Sequence, residues 1–357
     1  MFRVEMLAAY HGDAIWIEWG DRRDPRRLLI DGGLAGTCTA IVNRAGERCS
    51  LELFCVTHVD QDHVEGAVKL LANLPKGIEI RQVWFNGWDQ VSGATRLGAV
   101  QGEKLGAAIV NYARLRWNAS FDGKAVMVPE DGTLLEHAFD GGLTLTVLSP
   151  RKQELAILKP VWQKECVKAS LTPGSIEEAE EALAKDRRLR PKRLGESVDV
   201  EALTSQVYEP DSAPANGSSI ALLAEYDGKG VLLGADAHSE VLEAGVQRLL
   251  AARGKRKLKL DAFKVCHHGS KYNNSPTLVD MLDCPRWLIS TNGDKFQHPD
   301  RETIARILLS RKNDETDLYF NYRSEYNGIW DSDRLRRDWN YRATYPKSEK
   351  GGIVVEL

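Results

Sequence analysis

Leu51-Glu52-Leu53-Phe54-Cys55-Val56-Thr57 runs directly into His58-Val59-Asp60-Gln61-Asp62-His63. The first seven residues are mostly apolar and read as a buried strand. The next six set two imidazoles and two carboxylates side by side. Carboxylates delivered this close together repel one another unless a counter-ion sits among them, and a divalent metal meets that need. From about Val64 to Leu74 apolar residues recur at helical spacing, and Pro75 stops the run. A further strand follows at Arg81 to Phe85. Strand, ligand-rich loop, helix and strand in this order predict an α/β layered sandwich. In such folds functional groups gather on loops just beyond strand ends.

Two later segments repeat that placement. The chain has only eight histidines. Two of them, His267 and His268, follow a predicted strand, Leu260 to Cys266, and lead into Gly269-Ser270. Asp236 follows the short apolar run Val231-Leu232-Leu233 and Gly234, where a carboxylate can point out of the sheet edge and bridge two metals. The expected ligands are therefore His58, Asp60, Asp62, His63, Asp236 and His267. The pattern does not separate His267 from His268. We take His267 as the ligand and His268 as a group facing substrate or supporting the ligands. Asp31, which ends the strand Leu28 to Ile30, is expected to hold a ligand histidine from behind. His298, in Phe296-Gln297-His298-Pro299, is a candidate to contact a phosphate or donate a proton. Asp62, His298 and His268 are thus the candidate catalytic residues. Asp13 is expected to fix a turn, and His137 to be structural.

The remaining sequence sets limits. With 357 residues, 43% hydrophobic and 28% charged, the chain can bury one large core. A net charge of −3 argues against coating nucleic acid by bulk charge. No run of about eighteen apolar residues exists, so no membrane span is expected. The start, Met1-Phe2-Arg3-Val4-Glu5, lacks the pattern of a signal peptide. Six cysteines without a CxxC pair read as reduced thiols, so a cytoplasmic location is expected. Residues 88–215 are read as a partly helical insertion or lid, with helices over Gly98 to Trp117 and Ile176 to Leu189 and a strand at Leu143 to Leu148. Residues 318–357 are read as a C-terminal extension ending in a strand, Gly352 to Leu357, that closes the sheet. The whole chain, 1–357, is taken as a single domain.

His58-x-Asp60-x-Asp62-His63 resembles the HxHxDH signature of the metallo-β-lactamase superfamily, with Asp in place of the second His. That variant is similar to the stand-alone form of the metallo-hydrolase domain of the competence DNA-uptake protein ComEC. Tyr10-His11-Gly12-Asp13-Ala14, Leu29-Ile30-Asp31-Gly32-Gly33, Asn216-Gly217-Ser218-Ser219, Gly234-Ala235-Asp236, His267-His268-Gly269-Ser270 and Gln297-His298-Pro299 resemble its other motifs in order. The resemblance implies a four-layer αββα sandwich with a helical insertion and a site for one or two divalent ions. An oxygen-rich first set, His58, Asp60 and Asp236, suits Mn²⁺ or Mg²⁺, while Asp62, His63, Asp236 and His267 suit Mn²⁺ or Zn²⁺. It further implies a phosphodiesterase or nuclease working through a metal-activated hydroxide on a nucleic acid or nucleotide, and a place in bacterial anti-phage defence. The sequence departs from the family in having Asn216 where a middle histidine would stand. A hydrolase of lactones, thioesters or β-lactams is the enzymatic alternative. A metal-stabilised, non-catalytic subunit that meets a protein partner through 88–215 is the other.

Overall fold

The computed structural model describes residues 1–92, 100–112, 116–168 and 198–357. The first half of the chain alternates short buried strands with turns. Numbering the strands of the two large sheets in chain order, the first sheet is built from β1 (Phe2–Met6), β2 (Ile15–Gly20), β3 (Pro25–Ile30), β4 (Leu53–Cys55), β5 (Gln82–Trp84) and β6 (Arg116–Trp117). The second contains β7 (Leu135–Ala138), β8 (Thr144–Ser149), β9 (Ala221–Tyr226), β10 (Lys229–Leu233), β11 (Ala262–Lys264), β12 (Arg286–Ile289), β13 (Thr316–Phe320) and β14 (Tyr341–Thr344). The last strand, β15 (Ile353–Glu356), returns to the first sheet and pairs antiparallel with β1, matching Val4 to Val355. The sheet orders are β15-β1-β2-β3-β4-β5-β6 and β14-β13-β12-β11-β10-β9-β8-β7.

Alternation along the strands sends one set of side chains between the sheets and the other outward. Val4, Ile17, Leu28, Leu53 and Trp84 of the first sheet share one apolar cluster with Leu145, Val147, Leu222, Val231 and Leu288 of the second, so the sheets pack face to face. Trp16, Leu29, Phe54 and Val83 point the other way, onto helices α1 (Thr37–Ala45), α2 (Gln61–Ala72) and α3 (Val100–Tyr112). Leu158 and Trp162 of α4 (Lys152–Lys168) join the same apolar layer. Leu223, Leu232, Phe263 and Trp287 of the second sheet point outward onto α5 (Ser239–Arg253) and α6 (Arg301–Ser310). The arrangement is the expected αββα sandwich.

Two expectations about organisation need adjusting. Within 88–215, β8 lies inside the second sheet, hydrogen-bonded to β9 as well as β7, because Leu145 and Val147 belong to the apolar layer between the sheets. The boundary at 318 falls inside β13, which pairs with β12 and β14 on either side. The helix expected at Ile176 to Leu189 lies outside the described residues. Among those described, no helix is long and apolar enough to cross a membrane.

Candidate metal centre

The site forms where strand ends of both sheets open onto one rim. β4 ends at Cys55 and hands the chain to His58, which precedes α2 with its first-turn Asp62 and His63. β10 leads to Asp236, and β11 leads to His267 and His268. The turns are tight. Asp31, Ala235, His267 and His268 all have positive φ (61°, 47°, 45° and 54°), a region that L-residues adopt only when the surroundings hold them there. Gly12 is needed for a close approach, since a Cβ there would lie 1.9 Å from the carbonyl oxygen of Asp62.

Four imidazoles turn the same edge inward. His58 Nε2 lies 3.8 Å, His63 Nε2 3.3 Å, His267 Nε2 3.7 Å and His268 Nε2 3.7 Å from Oδ2 of Asp236. His268 Nε2 is also 3.6 Å from Asp62 Oδ2, and His58 Nε2 is 3.7 Å from Asp60 Oδ2. Each ring is tied from behind through Nδ1. His63 donates to Asp31 at 2.8 Å, His268 to the Ser290 carbonyl at 2.8 Å, and His267 to Asn273 Oδ1 at 2.9 Å. His58 donates to Thr57 Oγ1 at 3.0 Å, and that hydroxyl in turn donates to Asp31. With the proton placed on Nδ1, the lone pair of each ring faces the centre.

Whether these residues suit a cation is decided by what they lack. Nε2 of His58, His63 and His268 and Oδ1 of Asp236 are buried with no hydrogen-bond partner among the described residues. Buried polar atoms are almost always satisfied, so a row of unsatisfied atoms converging on one point marks a place for a ligand. Asp13, His63, Asp236 and His268 each offer an atom within 4.8 Å of the others. At the site the buried carboxylates Asp13, Asp31, Asp62 and Asp236 gather near the buried ammonium of Lys264, which pairs with Asp13. Nitrogen and oxygen donors in this mixture fit Zn²⁺ or Mn²⁺.

The same carboxylates that would hold a cation also favour charge on two of the rings. Burial alone would lower His63 and His268. The carboxylates of Asp236 and Asp31 outweigh it and hold His63 well above its ordinary value, while Asp236 and Asp13 hold His268 up at about 9. His267 is lowered, chiefly by burial. Burial would raise Asp236, yet the imidazoles of His267, His63 and His268 keep it far below the usual carboxylate range. Asp62 is held low in the same way, by His268 and His63 against its burial.

All six residues expected as ligands therefore meet at one rim. Asp60 is the most open, with 43% of its side chain exposed. His267 and His268 both reach Asp236, and His268 is the one of the two that also reaches Asp62. His298 stands at the edge, its ring centroid 5.5 Å from that of His267. Asn216 sends its amide nitrogen to Asp211 and leaves Oδ1 buried and unpartnered among the described residues. Sequence reading misses the Asp13–Lys264 pair and the supporting role of Asn273. It also gives no weight to His11, which burial lowers to about 4 despite the nearby charge of Asp62. The only signal for these is position, each lying within a few residues of a turn already singled out.

No family model matches the chain, and no curated protein does. Solved structures do. A diphosphatase of the PhnP family matches at 8% identity over 100% of this chain and 98% of its own, with a TM-score of 0.43. Tm1679, described as a metal-dependent hydrolase of the β-lactamase superfamily, matches at 10% identity over 100% and 99%, with a TM-score of 0.39. CmlA β-hydroxylase (E377D mutant) matches at 10% identity and a TM-score of 0.41, and this chain spans 54% of its length. Identities and superposition scores this low leave the chemistry to be read from the site itself.

Proposed function

We propose that the protein is a metal-dependent hydrolase acting on phosphodiesters. The observation that carries the reading is the convergence of four back-tied imidazoles on Asp236, with three inward nitrogens unsatisfied. A divalent cation bound there supplies Lewis acidity, acidifying water and neutralising charge that builds on the phosphoryl oxygens. His58, Asp60 and Asp236 make one candidate set of ligands. His63, Asp62, Asp236 and either His268 or His267 make the other. His268 is the better placed of the two, because its Nε2 also faces Asp62.

The choice of a phosphoryl centre is supported by the rim. His11 lies within electrostatic range of Asp62, Lys295 and His268, and His298 stands beside His267. These groups can donate hydrogen bonds to non-bridging oxygens, where charge grows in the transition state. In hydrolysis an oxygen of water bonds to phosphorus and the bond to the leaving oxygen breaks. Asp62, held ionised, would hold and orient the attacking water, whose proton passes to solvent. His298 delivers one to the leaving oxygen, which departs as an alcohol. A nucleic acid or nucleotide is the substrate class, and a bacterial defence role the setting, that the family resemblance implies.

The test is turnover by Mn²⁺-loaded and Zn²⁺-loaded protein of bis-p-nitrophenyl phosphate, plasmid DNA and RNA. Asp62→Ala should lower any phosphodiester turnover by a factor on the order of 100 or more. Hydrolysis of a lactone or thioester panel with no phosphodiester turnover would overturn the reading in favour of a carbonyl substrate.

A further inference from the structure

A groove of about 470 Å³ opens beside Asp60. Its walls come from Val59, Val100, Leu158, Val161, Trp162 and Ala215. Two of the loops that build the metal centre also build one end of this groove. Val59, Asp60 and Gln61 belong to the loop that carries His58 and His63, and Ala215 precedes Asn216. The groove meets the candidate centre at Asp60, which lines the groove and lies 3.7 Å from His58 Nε2.

The lining makes the groove a poor track for a polyanion. Among the described residues, the one lysine along it, Lys168, is paired with Glu165 at 2.5 Å. Its floor is firm. Trp162 is 1% exposed and packs edge-on to Trp88 at 6.2 Å. Gly102 is there because a Cβ would come within 2.5 Å of the Trp162 ring. Trp162 Nε1 is buried without a partner among the described residues. Val161, by contrast, keeps 37% of its surface exposed, and Ile157, one turn earlier on α4, keeps 48%. Apolar surface left open beside a polar reaction centre is the usual form of a subsite for the non-reacting part of a substrate.

We propose that this groove seats an apolar aryl or alkyl group esterified to the phosphoryl centre, so that the favoured substrates are small phosphodiesters bearing such a group and not the backbone of a long nucleic acid. The inference rests on the phosphodiester reading above. Removing an aryl group from water into such a groove should tighten binding on the order of 10- to 100-fold.

The experiment is calorimetric binding of phenylphosphonate and methylphosphonate to the Mn²⁺-loaded protein, in wild type, Val161→Asp and Val100→Asp. Neither phosphonate can be hydrolysed as an ester, so the readout is independent of turnover. The expected result is a phenyl-to-methyl preference of at least about tenfold in wild type, falling toward one in both variants. Equal binding of the two by wild type overturns the groove assignment while leaving the phosphoryl reading intact. So does a preference that survives in both folded variants. Failure of both phosphonates to bind a demonstrably metal-loaded protein overturns the phosphoryl reading, and the groove assignment with it.

Discussion

Asp31 accepts from the Thr57 amide at 2.7 Å, from the Thr57 hydroxyl at 2.9 Å and from His63 Nδ1 at 2.8 Å. One carboxylate thereby orients two of the candidate ligands, His63 directly and His58 through Thr57. Asp31→Asn keeps the shape but turns a donor toward partners that themselves donate. It should weaken Mn²⁺ or Zn²⁺ binding about 10- to 100-fold, as read by calorimetry, since supporting residues of metal sites carry effects of that size. Protonation gives a second prediction. In the metal-free protein His268 is held at about 9 and His63 is also raised, so a cation arriving at neutral pH must expel their protons. Affinity should therefore rise with pH toward about 9, about tenfold per unit for each proton released, with matching proton release into buffer. The sign for metal-free stability is opposite. A histidine raised on folding stabilises below its unfolded value and loses that contribution as pH climbs through its folded value. Metal-free protein should thus show a falling unfolding midpoint between neutral pH and about 9, whereas a flat affinity profile across that range would show that no such protons are displaced.

At the scale of elements, α2 seats against the loop after β3 through three glycines, Gly66 of the helix and Gly32 and Gly33 of the loop. The Gly66 amide donates to the Gly33 carbonyl at 2.9 Å, and a Cβ on Gly66 would lie 1.9 Å from the Gly32 oxygen. Gly66→Ala must push the helix that carries His63 away from Asp31. A loss of about 3 kcal/mol or more in urea unfolding is expected, at the upper end for overpacking, together with weaker metal binding. What can be read from the sequence follows from the same geometry. The loop His58 to His63 is legible because its ligands are neighbours in sequence, and the closing strand because Ile353-Val354-Val355 is a β-branched run. The sandwich follows from the order of strands and helices. The choice between His267 and His268 is not legible, because two successive positive-φ residues decide which ring faces Asp62. Asp13 and Lys264 are separated by 251 residues and meet only after both sheets have packed, so no local pattern joins them. The extent of the insertion is misread from sequence where β8, flanked by charged and polar segments, enters the second sheet.

For the molecule as a whole, the candidate ligands divide between the two sheets: His58, Asp60, Asp62 and His63 at the end of one, Asp236, His267 and His268 at the end of the other. A cation bound among them would tie the sheets together at the rim. Removal by chelation should lower the unfolding midpoint, and metal at about 100 times its dissociation constant should restore about 2.7 kcal/mol. Amide exchange should quicken at the rim before it does in the layer between the sheets.

The pairing of β1 with β15 has a bearing on how the chain comes to its fold. The amide of Leu357 donates to the carbonyl of Phe2 at 3.0 Å, so the first strand of the sandwich to leave the ribosome waits for the last. Until then β1 has an open edge, and Phe2, Val4 and Met6 depend on β2 alone for neighbours in their sheet. Emerging chains are therefore exposed to strand-to-strand misassociation until β15 has been made, and the burden of keeping that edge unpaired falls on whatever attends the nascent polypeptide.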